Sequence, residues 1–225
     1  MKIRISIYTL LLCLVFTSCY EKDHQKHEQL TLLFDGNSIP NGYLLKHPYP
    51  ELIRDKLKCK IINVSVGGQT TLQMIKNIKA VNKTECDLLI VDEISNDLFF
   101  KASANEAYDH IKQYCTLSEK KCIIITPTPR ENQFTPIDFE SNRQQVISLL
   151  KHDFKNEKNK FVMTNSSYAI GLIDLSQDSL IGFPFSDTNR VYFQDQCHHT
   201  ELGNMRRAAI IANGIKVIID TEKIK

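Results

Sequence analysis

From residue 30 onward, short apolar runs alternate with longer amphipathic stretches. The runs fall at 30–34, 60–66, 87–91, 122–126 and 161–164. Most are continuous rather than alternating, the pattern of strands covered on both faces. Between them, amphipathic spacing predicts helices over 49–57, 72–81, 105–115, 137–154 and 201–219. Thr70-Thr71-Leu72-Gln73 reads as a capping box ahead of Leu72, Ile75 and Ile78, and Thr200 as an N-cap for the last helix. The segment 183–194, with Pro184, reads as an irregular loop. Strands alternating with helices imply βαβ units with right-handed crossovers. The expected fold is α/β: a three-layer α/β/α sandwich with a mostly parallel, flavodoxin-like sheet.

The beginning of the chain breaks this pattern. Lys2 and Arg4 form a positive n-region, an apolar stretch runs from about Ile5 to Phe16, and Thr17-Ser18-Cys19 follows. That is the layout of a secretory signal, too short for a spanning helix, which needs about 20 apolar residues. Phe16-Thr17-Ser18-Cys19 resembles the lipobox of bacterial lipoproteins, in which the cysteine is lipidated and becomes the new N-terminus. Phe16 stands where Leu is more usual. The resemblance implies a signal peptide over 1–18, a lipidated Cys19 with a polar tether over 19–29, and one domain over 30–225. Cys19 then makes the membrane a partner of the protein, each buried CH₂ of its acyl chains contributing about 0.8 kcal/mol. Ordinary secretion with cleavage nearby is the alternative. His24 and His27 have a spacing that suits a metal, but in so polar a stretch they read as solvated tether.

Charge and cysteine content narrow the classes. Removing Lys2 and Arg4 takes Lys+Arg from 28 to 26, against 26 Asp+Glu, so the mature chain is near neutral. No block of like charge stands out, which speaks against a nucleic-acid partner. Of 7 cysteines, Cys13 and Cys19 belong to the leader. Cys59, Cys86, Cys115, Cys122 and Cys197 follow no disulfide or zinc spacing, though a disulfide is permitted outside the cytoplasm. Cys86 and Cys122 open apolar runs and read as buried thiols. No metal or cofactor is implied.

In a parallel sheet the carboxyl ends of the strands share one rim, where such folds place their active sites. Four segments expected there carry unusual residues: Asp35-Gly36-Asn37-Ser38, Ser65 to Thr70 with Gly67-Gly68, Glu93 to Asp97 with Ser95-Asn96, and Asp195 to Thr200 with His198-His199. Each alone has a structural explanation as a turn, a cap or a hydrogen-bonded loop. Together they form a catalytic inventory. Ser38 is a candidate nucleophile, and a serine needs an adjacent base. His198 supplies one, and Asp195, three residues earlier, can fold back in one turn to Nδ1. The N–H groups of Ser38 and Gly68 and the Asn96 amide can converge on a developing oxyanion. Cys197 is a poor nucleophile candidate beside His198, because adjacent side chains diverge. The other serine-hydrolase elbow, G-x-S-x-G, is not met, since Pro40 occupies its last position.

In this order and spacing, the four segments resemble the SGNH (GDSL-like) hydrolases. Gly36-Asn37-Ser38-Ile39 corresponds to the first block, Gly68 within 63–70 to the second, Ser95-Asn96-Asp97 to the third, and Asp195-Gln196-Cys197-His198 with Gly203 to the last. Asn37 replaces the usual Asp, Ile94 a usual Gly, and Ser65 another. The resemblance implies a serine esterase with Ser38, His198 and Asp195 as triad and Ser38, Gly68 and Asn96 as oxyanion hole. Its expected substrate is a short acyl ester, acetyl foremost, on a small molecule or a glycan in the bacterial envelope. A lysophospholipase or lipase is the alternative enzyme. A glycan-binding lipoprotein with an inactive triad is the alternative outside catalysis.

Overall fold

A computed structural model describes residues 29–224, apart from Glu93, Lys155, Lys160, Phe161 and Asn165. The expected signal peptide, the lipobox with Cys19 and the tether up to residue 28 lie outside the described residues.

The first four apolar runs become β1 (Thr31–Gly36), β2 (Lys60–Asn63), β3 (Leu88–Asp92) and β4 (Cys122–Ile125). Three strands follow: β5 (Asn156–Asn159), β6 (Val162–Thr164) and β7 (Gly171–Ile173). The sheet order is β2-β1-β3-β4-β7-β6-β5. β2, β1, β3, β4 and β7 run parallel, in the order of a flavodoxin-like sheet, with β6 antiparallel to β7 and β5 antiparallel to β6 added at one edge. Of the run at 161–164, Val162–Thr164 is therefore an antiparallel strand. The fifth parallel strand is β7, whose three residues are too few to give a sequence signal.

The helices are α1 (Ser38–Asn41), α2 (Tyr49–Leu57), α3 (Thr71–Lys76), α4 (Ile78–Lys83), α5 (Ser95–Phe99), α6 (Ala104–Leu117), α7 (Phe139–Asp153) and α8 (Glu201–Glu222). The predicted helix over 72–81 is two, divided at Asn77 (φ −95°, ψ 4°). A break at Asn costs little helix propensity, since Asn is a weak helix former. The predicted cap at Thr70 is present, Gln73 Oε1 accepting the Thr70 N–H at 2.8 Å. Thr200 also caps as expected, accepting the Gly203 N–H at 3.2 Å. Within 183–194 a 3₁₀ turn forms at Ser186–Thr188.

Alternation along the central strands sorts two cores. Leu33, Leu89, Val91, Ile124 and Leu172 pack under α3, α4, α6 and α7. Leu32, Phe34, Leu88, Ile90 and Ile123 pack under α2 and α8. This is the three-layer sandwich. The strand order reverses between β1 and β3, so the crevice at their carboxyl ends is the topological switch point. Ser38 follows β1 and Asn96 follows β3.

Candidate active site

β1 leads into the site through Gly36, where a Cβ would meet the Asp92 carbonyl oxygen at 2.2 Å. Only glycine lets β1 and β3 approach so closely. Asn37 then caps α1: its Oδ1 accepts the Ile39 N–H at 2.9 Å, and its Nδ2 donates to Ser95 Oγ at 2.8 Å. Its amide thus supplies a donor that the usual aspartate lacks, and ties the first segment to the third.

Ser38 opens α1 with its Oγ 2.8 Å from His198 Nε2. His198 Nδ1 lies 2.7 Å from Asp195 Oδ2. Asp195 Oδ1 also accepts the backbone N–H groups of Cys197 at 3.1 Å and His198 at 2.6 Å. This Asx turn folds carboxylate and imidazole together. Burial alone would raise the Asp195 carboxyl, but the bonds from the His198 backbone and ring and from Cys197 outweigh it and hold it below its ordinary value. An ionised carboxylate only accepts. The Nδ1–H therefore points at Asp195, and in the neutral ring the Nε2 lone pair faces the Ser38 hydroxyl.

The other two segments are laced to this one. Gly68 has φ +76° in a turn closed by the Gln69 N–H on the Val66 carbonyl at 3.1 Å, a conformation that favours glycine. Gln69 Nε2 donates to Asp35 Oδ1 and to the Gly36 carbonyl, both at 3.1 Å. The Gln69 carbonyl accepts Asn96 Nδ2 at 2.9 Å. Asp97 Oδ2 accepts from the Thr71 N–H at 2.8 Å and hydroxyl at 2.9 Å. Ile94 takes φ +62°, ψ −43° with its side chain fully buried. For a β-branched residue this is a strained backbone, of order 1–3 kcal/mol. The substitution for glycine is absorbed there as strain while α5 still forms.

The structure thus joins Ser38, His198 and Asp195 in one hydrogen-bonded line and ties Asn96 to the Gly68-Gln69 segment. His199 turns away: it is buried against Phe193 at 4.7 Å between ring centroids and touches the start of α8 near Gly203. Burial, with help from Arg207 and His198, holds its ring well below the ordinary histidine range. Cys197 is also buried, and burial pushes its thiol up to about 11. Two neighbours of the site escaped sequence reasoning. Tyr43 lays its ring 4.3 Å from that of His198. Arg130 follows β4, and its Nη1 reaches Asn96 Oδ1 at 3.4 Å. The available signal for Arg130 was its place just beyond the fourth strand, on the same rim. Among the described residues no group of three His, Cys, Asp or Glu side chains gathers as metal ligands.

No family model and no curated relative matches the sequence. Solved structures do match. The psychrotrophic esterase EstA from Pseudoalteromonas sp., in a structure inhibited by monoethylphosphonate, aligns with TM-score 0.62 at 11% identity, covering 84% of this chain and 98% of that one. A member of the lipolytic G-D-S-L family from Veillonella parvula gives 0.58 at 17% identity, over 81% and 97%. An acetylxylan esterase from Geobacillus stearothermophilus gives 0.56 at 15% identity, over 83% and 94%. The chain has the SGNH-hydrolase fold. In this SGNH-type sheet the Ser38, Gly68, Asn96 and His198 segments all open on one rim, and the match spans nearly the whole length of the similar proteins.

Proposed function

We propose that this protein is a serine esterase that removes short acyl groups, acetyl foremost, from a glycan outside the cytoplasm. The observation that carries the reading is the unbroken line from Ser38 Oγ through the His198 ring to Asp195. Ser38 Oγ attacks the ester carbonyl carbon while His198 Nε2 takes the hydroxyl proton. Asp195 stabilises the resulting imidazolium and fixes its orientation. The carbonyl π electrons move to oxygen, and the N–H groups of Ser38 and Gly68 with the Asn96 amide serve as its donors. Collapse breaks the bond to the alcohol, which leaves with the proton from His198. Water, losing a proton to the same nitrogen, then attacks the acyl-enzyme and restores Ser38, releasing the carboxylic acid.

The short acyl preference is supported by the lack of a long apolar insertion to serve as a lid or tunnel, and by likeness to an acetylxylan esterase. The sense of β1 supports a glycan over lipid of the anchoring membrane. Residue 30 enters β1 at the rim opposite Ser38, so a tether from Cys19 joins the domain on the far side from the serine. A lysophospholipase or lipase has one observation in its favour: Leu44, Phe134 and Phe185 expose apolar side chains on segments leaving the catalytic rim. Turnover of p-nitrophenyl acetate and decanoate separates the two. The esterase reading expects faster acetate turnover, lost in Ser38→Ala; much faster decanoate turnover transfers the case to the lipase. Lipidation at Cys19 is tested by radiolabelled palmitate, and equal incorporation by wild type and Cys19→Ser refutes it.

A further inference from the structure

We infer that Arg130 is a positioning residue of the oxyanion hole, holding the Asn96 carboxamide by its oxygen so that its N–H edge is kept toward the hole. This rests on the reading of Asn96 given above. A carboxamide is nearly symmetric in shape, and its two orientations exchange a donor for an acceptor. A hole needs the donor. Two contacts select that orientation: Arg130 Nη1 donates to Asn96 Oδ1 at 3.4 Å, and Asn96 Nδ2 donates to the Gln69 carbonyl at 2.9 Å. In the flipped state Oδ1 meets the Gln69 carbonyl oxygen and Nδ2 meets a guanidinium, so both contacts become repulsive.

The guanidinium is itself held in place. Its Cζ lies 3.5 Å from the centroid of the Phe99 ring. Phe99 sits three residues after Asn96 on α5, one turn along the same face. One short helix thus presents both the ring that seats the cation and the carboxamide that receives its N–H. Arg130 Nε is buried without a hydrogen-bond partner among the described residues, so it is through Nη1 that the head group reaches the site. The next residue secures the loop, Glu131 N–H donating to the Gln196 carbonyl at 3.2 Å, inside the turn that carries His198. A charged donor on Oδ1 also polarises the amide and strengthens its N–H as a donor.

The test is a double-mutant cycle on the full chain with p-nitrophenyl acetate, after circular dichroism confirms folding. Arg130→Met is expected to lower kcat about 10-fold with KM nearly unchanged, less than the roughly 10²–10³-fold loss for removing a hole donor. In an Asn96→Ala background the same change is expected to cost less than about twofold, because there is no carboxamide left to position. Arg130→Lys keeps the charge but not the planar fork, and is expected to recover only part of the loss; should Arg130→Met fail to fold, the cycle is read with this variant. An equal loss in both backgrounds, no loss with Asn96 present, or full recovery by lysine overturns the inference. Failure of the hole itself appears separately, as wild-type kcat in Asn96→Ala alone.

Discussion

His198 and His199 are neighbours in the chain with different surroundings. His198 stands between Ser38 and Asp195, whereas His199 is packed into the interior on Phe193. His198→Ala is expected to lower kcat/KM by about 10⁴–10⁶-fold with the fold intact, the scale of losing a triad base. His199→Ala is expected to lower the melting temperature, since it empties a buried ring site at a cost of about 3 kcal/mol, with modest change in kcat/KM. Kinetics with one activated ester and thermal melts of both variants check this; an inactive, stable His199→Ala contradicts it. That His198 rather than His199 meets Asp195 was legible in the sequence, because only the Asp-x-x-His spacing brings a carboxylate back within one turn. Arg130 was not legible. Its site depends on Phe99 and Asn96 from another rim segment, and no local spacing encodes that meeting.

The elements read well wherever a run was long enough to show its period. β1, β3, β4, α2, α6, α7 and α8 fall where the pattern puts them within a few residues, because apolar runs and caps such as Ser103 with Glu106 act locally. β7 was hidden because three residues carry no period; it is placed by pairing with β4 and β6 on either side and buried by the two facial cores. α1 and α5 are single turns formed by rim contacts rather than by propensity, Asn37 capping α1 and Asp97 receiving Thr71. The glycines of these segments are expected to differ in tolerance. Gly36→Ala drives its Cβ into the Asp92 carbonyl, so it should lower both stability and kcat. Gly67→Ala meets nothing within 4 Å and is expected to leave both near wild type. Denaturant melts and kcat of the two variants decide; equal damage from both contradicts the rim geometry.

At the scale of the whole molecule, folding buries an acid at a cost. Asp187 is fully buried, and no cation or side-chain donor pairs with its carboxylate among the described residues; burial, then the charge of Glu131, raise it to about 6, with the backbone N–H groups of Asp187 and Glu131 pulling the other way. The native state therefore holds this proton more tightly than the unfolded chain, whose aspartates titrate near about 3.9. Stability from this group is fully present below about pH 4 and is lost as pH rises through about 6. Asp187→Asn is expected to stabilise at about pH 8 by on the order of 2–3 kcal/mol, and to change little near about pH 4. Urea melts at both pH values check the sign, and a gain confined to acid contradicts it.

Ser38 stands at the switch point of this sheet, aligned on His198, and the proposed esterase chemistry requires it to be an activated nucleophile. A fluorophosphonate tests that directly, because a nucleophilic oxygen displaces fluoride and keeps the phosphonyl group. Peptide mass spectrometry of the folded protein is expected to find the adduct on Ser38, absent in Ser38→Ala and strongly slowed in His198→Ala. No adduct on the folded wild type, or an adduct on another residue with Ser38 unmodified, contradicts the account.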